Sequence, residues 1–138
     1  MNQYTGKDRV VAALKRKFAD RVPITLLFGP YCAKLAGFSI REFQKDKSKN
    51  IASHLKAYES FPLDTITVSM DLLLEAEAAG AALEFPENGV SHIRNRPLVE
   101  KSDLTKLKIP DPKMDGRLPV YLEICRDLAS QIKDFLRY

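Results

Sequence analysis

Asp71 stands where side-chain type and position could together support chemistry. It follows the segment I-T-V-S-M (66–70), in which Ile66, Val68 and Met70 alternate with Thr67 and Ser69. It precedes L-L-L-E-A-E-A-A (72–79), which reads as helix. A carboxylate at such a junction can cap the helix by accepting backbone N–H groups. It can equally face a cleft, accept N–H hydrogen bonds from a ligand and stabilise positive charge developing there. Both roles fit position 71. Glu75 and Glu77 follow on the helix, where they are expected to face solvent or pair locally.

The histidines and cysteines form no ligand motif. His54 falls in a helical stretch without a partner at i+4, and His92 falls in a hairpin. Cys32 and Cys125 stand far apart with no C-x-x-C. The histidines are expected to be surface or packing residues and the cysteines reduced thiols. No metal or cofactor is expected to be held by this chain.

The elements that must position Asp71 follow from pattern and punctuation. Thr5 and Asp8 make a capping-box-like T-x-x-D before a helix with the apolar stripe Val10, Val11, Leu14 and Phe18, ending before Pro23. Ile24 to Phe28 is a near-continuous apolar run of strand length, ended by Gly29-Pro30. Ser39 caps a short helix to Phe43. Ser48 opens a longer one, with Ile51, Leu55, Tyr58 and Phe61 at helical spacing and Pro62 as its stop. Thr65 to Met70 is the second strand, so strand, helix and strand make a βαβ crossover whose strands should lie parallel. The helix Leu72 to Ala79 is closed by Gly80. Ala82 to Phe85 and Val90 to Arg94 predict a hairpin about Asn88-Gly89. Ser102-Asp103 caps one turn holding Leu104 and Leu107. A last helix from about Leu118 to Tyr138 has Leu122, Cys125, Leu128, Ala129, Ile132 and Phe135 on its apolar side.

The 138 residues are 45% hydrophobic and 29% charged, an ordinary composition for one domain with a core. There is no apolar run of spanning length and no signal-like start, which predicts a soluble, cytoplasmic protein and no membrane partner. The net charge of +4 is modest. Its densest part, Arg41 to Lys56, interleaves Lys45, Lys47 and Lys49 with Glu42 and Asp46, and predicts no nucleic-acid partner. Two parallel strands cannot close a barrel, which takes eight strands and about 250 residues. The chain therefore reads as the opening of a larger fold.

Five segments in order carry a resemblance: T-G-K-D-R-V-V-A-A-L-K-R (5–16), D-R-V-P-I (20–24), V-S-M-D-L-L-L-E-A-E-A-A-G-A (68–81), R-P-L-V (96–99) and L-K-I-P-D-P (107–112). Together they resemble the N-terminal part of the uroporphyrinogen decarboxylase superfamily, which includes the methylcobalamin:coenzyme M methyltransferases. The resemblance implies an α/β fold: the N-terminal portion of a (β/α)8 TIM barrel, with an N-terminal helix, a βαβ unit and a β-hairpin insertion. It implies that the barrel is incomplete within residues 1–138, which are expected to form a single partial domain. It implies that Asp71 occupies the place of an aspartate directed at the pyrrole nitrogens of a bound tetrapyrrole.

Decarboxylases of the superfamily carry, after their first strand, an arginine-containing glycine segment that grips substrate carboxylates. The matching stretch here, L-L-F-G-P-Y-C-A-K-L-A-G (26–37), has no arginine. Its cation is Lys34, a point charge without a bidentate fork. Gly29, Tyr31 and Lys34 are the expected substrate-binding positions and Asp71 the expected catalytic residue. The resemblance is thus nearer the methyltransferase branch, whose full-length members use zinc and a corrinoid, methylcobalamin, with a small molecule or corrinoid protein as substrate. Zinc there lowers the pKa of a thiol, but its histidine and cysteine ligands lie in the later half of the barrel. The chain alone is expected to be inactive, and to self-associate or pair with a complementary C-terminal half. A decarboxylase fragment and a non-catalytic, self-associating protein are the alternatives.

Overall fold

The structure, a computed structural model, describes residues 4–132. The element order is α1 (Gly6–Leu14), α2 (Tyr31–Ala36), α3 (Ile40–Lys45), α4 (Lys47–Ser60), α5 (Leu74–Ala78), β1 (Ala82–Glu84), β2 (His92–Asn95), a 3-10 turn (Lys101–Lys106) and α6 (Leu118–Gln131). Phe135 and the expected run of the last helix to Tyr138 lie outside the described residues.

Capping chemistry sets several helix boundaries. The Thr5 side chain accepts from the Asp8 backbone, while the Asp8 carboxylate accepts from the Thr5 N–H at 3.0 Å. Ser39 and Glu42 make the same reciprocal box at the start of α3. α1 ends at Leu14, earlier than its apolar stripe predicts. Arg16 adopts φ 54°, and Lys17 N–H donates to Ala12 O at 2.8 Å while Arg16 N–H donates to Ala13 O at 3.0 Å. This paired closure at a left-handed residue stops the helix and leaves Phe18 98% exposed. α4 starts one residue before Ser48, because the Asp46 carboxylate takes the Lys49 N–H at 3.0 Å.

The two expected parallel strands are not formed: segments 24–28 and 65–70 make no ladder. Among the described residues the sheet has two strands, β1 and β2, antiparallel. Segments 24–28 and 65–70 lie side by side in the same sense. Asp64 N–H donates to Ile24 O at 2.9 Å, and the Thr25 and Thr67 hydroxyls are 3.3 Å apart. The physical reason for the missing ladder is cover. Parallel pairs are slightly weaker than antiparallel ones and need both faces buried, whereas Leu27 is 75% exposed.

The hairpin forms where expected, but with a longer connection than an Asn-Gly turn. Arg41 reaches into its loop, with Nε donating to Phe85 O at 2.7 Å and its N–H to Glu87 O at 3.1 Å.

Two apolar clusters make the core. One joins Cys32 and Ala33 of α2 to Phe43 of α3 and Ala57 of α4. The other joins Met70 and Leu74 to Ile124 and Leu128 of α6, with Ile51 and Leu55 of α4 against it. α4 therefore stands between the clusters. Its fully buried positions are Asn50, Ser53, His54 and Ala57, whereas Phe61 lies exposed beyond its end. α6 buries Leu128, as its stripe predicts, together with Ile124, which the stripe omits, and leaves Leu122 exposed. Among the described residues no helix is long and apolar enough to cross a membrane.

Candidate functional site

Asn50 and His54 share one face of α4 because they are four residues apart, and that face holds the segment leading to Asp71. Asn50 Nδ2 donates to both Phe43 O and Ser69 O at 3.0 Å. His54 Nε2 lies 3.0 Å from Ser69 O and 3.2 Å from Ser69 N, so either tautomer engages the Ser69 backbone. Side chains of α4 thus satisfy peptide groups that a strand ladder would otherwise take. Burial pushes the His54 pKa down, opposed by its hydrogen bond to the Ser69 backbone.

The other ring nitrogen of His54 is 3.8 Å from Cys32 Sγ. Burial pushes that thiol up to about 11. A zinc-bound cysteine requires the opposite shift, toward thiolate. No group of three or more His, Cys, Asp or Glu suited to a metal occurs among the described residues. His92 lies in β2, 3.6 Å from Glu84 Oε2. Cys125 is a free, half-buried thiol on α6. These residues do not fit a zinc centre.

Asp71 directly follows the held segment. Its Oδ1 accepts the Leu73 N–H at 2.8 Å, a local turn that delays the start of α5 to Leu74. The side chain is therefore not the N-cap of that helix. Its Oδ2 lies 2.6 Å from Arg117 Nη2, with 4% of the Asp71 side chain and 13% of the Arg117 side chain exposed. The contact is a buried ion pair, and neither Oδ2 nor Nη2 has another partner among the described residues. Arg117 also donates through Nε to Glu77 Oε2 at 2.7 Å and through Nη1 to Gln44 O at 3.0 Å. Its guanidinium lies over the Phe85 ring, 4.7 Å from the centroid. Glu77 is thus paired with a residue far along the chain, neither solvent-facing nor locally paired.

Gly29 follows the first extended segment with φ 52°, and Pro30 opens α2. Tyr31 and Lys34 are exposed on that helix. Since the two extended segments run in the same sense, Gly29 and Asp71 both follow carboxyl ends. No hydrogen bond or ion pair among the described residues joins Gly29, Tyr31 or Lys34 to Asp71. Two open grooves, of about 630 and 250 Å3, flank α1, and neither is lined by any of these four residues.

The Arg117 node had no local signal in sequence beyond a glycine before an arginine. A second cluster also escaped pattern reading. The Asp64 side chain, 2% exposed, meets Arg9 Nη1 at 2.9 Å and Arg21 Nη1 at 2.5 Å, and its Oδ2 accepts the Ile24 N–H at 2.7 Å. Arg9 in turn forks onto Asp20 at 2.7 and 2.8 Å. Burial pushes the Asp64 carboxyl up, but the bonds from Arg21, Ile24 and Arg9 outweigh it and hold the pKa below its ordinary value. Arg9, Asp20 and Arg21 lie in the segments T-G-K-D-R-V and D-R-V-P-I. In this structure those motifs fasten α1 to both extended segments.

The family profile described as uroporphyrinogen decarboxylase (URO-D) matches residues 5–136. Uroporphyrinogen decarboxylase from Aliivibrio fischeri strain MJ11 is 27% identical over 139 residues, covering 91% of this chain and 37% of that protein. The Xylella fastidiosa strain Temecula1 enzyme of the same name is 29% identical over 132 residues, covering 91% of this chain and 36% of its own length. A solved methyltransferase from Methanosarcina mazei superposes with a TM-score of 0.79 at 21% identity, over 94% of this chain and 40% of that one. At that identity the likeness is one of fold. The chain spans about 37% of the length of the first curated relatives it matches. On the match over residues 5–136, the chain belongs to the uroporphyrinogen decarboxylase (URO-D) family.

Proposed function

We propose that the chain forms the N-terminal part of a (β/α)8 barrel of the corrinoid-dependent methyltransferase type, which in full length moves a methyl group from methylcobalamin to a thiol. In this reading the chain is inactive alone. The observation that carries the branch is the segment 26–37. Its cation is Lys34, exposed on α2, where a clamp for a polycarboxylate substrate calls for arginine forks. The likeness of fold to a methyltransferase is compatible with this reading. Inactivity is supported by the open flank of segment 24–28, since a barrel site is enclosed by loops from many strands.

The residues of this chain contribute binding and orientation in that reading. Gly29, Tyr31 and Lys34 line the rim after the first extended segment, and Asp71 supplies a carboxylate at the end of the second. Zinc, supplied by another part of the full-length protein, would activate the thiol.

The purified chain, given zinc, methylcobalamin and a thiol, is expected to transfer no methyl group above background. Turnover in that assay overturns the claim of inactivity.

A decarboxylase-type tetrapyrrole carboxy-lyase is the second reading, favoured by the names of the curated relatives. It predicts saturable binding of uroporphyrinogen that Asp71→Ala abolishes. A third reading, a non-catalytic protein that assembles with itself or with a complementary C-terminal half, is favoured by the exposed Leu26 and Leu27.

A further inference from the structure

α1 is fastened through one side. A Cβ at Gly6 would lie 2.9 Å from Asp64 O, so only a residue without a side chain lets the helix sit this close. Arg9, on the same side, donates to the Asp64 carboxylate at 2.9 Å. The helix nevertheless buries none of its residues. Its other side carries Val11, with Tyr4 seven residues before it and Phe18 seven after, and all three line the larger groove. Phe18 comes there through the reversal at Arg16, whose left-handed φ of 54° closes the helix. The same ring borders the smaller groove as well. A spacing of seven is that of a seam between two packed helices.

The charges beside this seam are unspent. Lys7, Lys15 and Lys17 all line the larger groove, and none of their side chains is in an ion pair or hydrogen bond among the described residues. Other cations of the chain differ: Arg9 and Arg21 are engaged by Asp20 and Asp64, Lys47 by Glu123, and Lys49 by Glu42. The acid of the groove, Asp8, is taken by the Thr5 N–H at 3.0 Å and the Thr5 hydroxyl at 2.8 Å. An apolar floor with free lysines along its rim calls for an occupant of opposite charge. The surface is a concave trough of about 630 Å3, running along a nine-residue helix about 14 Å long. A second helix fits such a trough, whereas a flat surface does not.

We propose that the outer side of α1 is a docking groove for an amphipathic helix of a partner protein, one with an apolar seam flanked by Asp or Glu. Tyr4, Val11 and Phe18 receive the seam. Lys7, Lys15 and Lys17 select the charge of the partner and set its register, as flanking charges do in paired helices.

The probe is a capped, labelled peptide of eighteen residues, about five helical turns, with Leu at the a and d positions of its heptads and Glu at e and g. A second peptide carries Lys in place of every Glu. Fluorescence anisotropy of each is followed as the full chain is added. Saturable binding of the acidic peptide is expected, with none of the basic one. Lys15→Glu combined with Lys17→Glu should reverse that preference and weaken the acidic peptide at least about tenfold. Phe18→Ser should weaken the acidic peptide with every charge retained. These three positions are exposed and outside both core clusters, so the helix signal should be unchanged. Failure of the unaltered chain to bind the acidic peptide overturns the proposal, as does equal binding of the two peptides. So does a charge-reversed variant that keeps the original preference. Vesicles of phosphatidylserine and phosphatidylcholine form the last arm: retention of the chain on them without binding of the acidic peptide makes the groove a lipid-facing surface and overturns helix docking.

Discussion

His54 illustrates how a side chain that could bind a metal is spent on structure. Its ring is buried against Phe43, at 5.5 Å between centroids, and one nitrogen serves the Ser69 backbone. Burial holds its pKa below the ordinary 6.5. The unfolded chain therefore takes up a proton near that pH while the folded chain resists it. The contribution to stability is complete above about 6.5 and falls as the pH drops below it, with a slope of at most about 1.4 kcal/mol per pH unit for one group. Urea unfolding at pH 7.5 and 5.5 should show the unaltered chain losing more stability on acidification than His54→Gln; parallel losses would refute the assignment. Asp64 makes a second case. Asp64→Ala leaves Arg9 and Arg21 facing a buried gap, and should cost about 3 kcal/mol in the same measurement. A cost below about 1 kcal/mol would mean that water already screens the cluster. Asp71 was legible from alternation giving way to helix, because both periods are local. Arg117 was not, because the contact joins distant parts of the chain through the backbone geometry of Gly116.

At the scale of elements, capping boxes were the most readable feature, since Thr5–Asp8 and Ser39–Glu42 each act within one turn. Segments 24–28 and 65–70 read as strands but form none, because a ladder depends on cover supplied from elsewhere. α6 shows the same limit in another form. Its pattern contains several apolar residues, and only packing against Met70 and Leu74 selects Ile124 and Leu128 as the buried pair. That packing bears on the candidate site, because Arg117 immediately precedes α6. Leu128→Ala should cost about 2–5 kcal/mol, whereas Leu122→Ala, on the exposed side, should stay within about 0.5 kcal/mol. Hydrogen exchange at the Leu73 amide should quicken in Leu128→Ala, as the helix that carries Arg117 loosens. Equal effects of the two substitutions would show that the buried face of α6 has been misassigned.

On the scale of the whole molecule, the first extended segment is one of several stretches that leave apolar chain exposed. Val22, Ile24, Leu26 and Leu27 are all exposed, and peptide groups of segment 24–28 have no ladder to occupy them. Such an edge is a template for another chain, and apolar groups left in water favour any arrangement that covers them. The proposed self-association therefore follows from the same lack of cover that denies these segments a ladder. Sedimentation of the purified chain should show weight-average mass rising with concentration through the micromolar range. A paired substitution, Leu26→Lys with Leu27→Lys, should return it toward the monomer without loss of helix signal, because neither side chain belongs to the apolar clusters of the core. A single sharp monomer boundary across that range would mean that this edge is tolerated in water and that no second copy covers it. The paired substitution would then leave sedimentation unchanged.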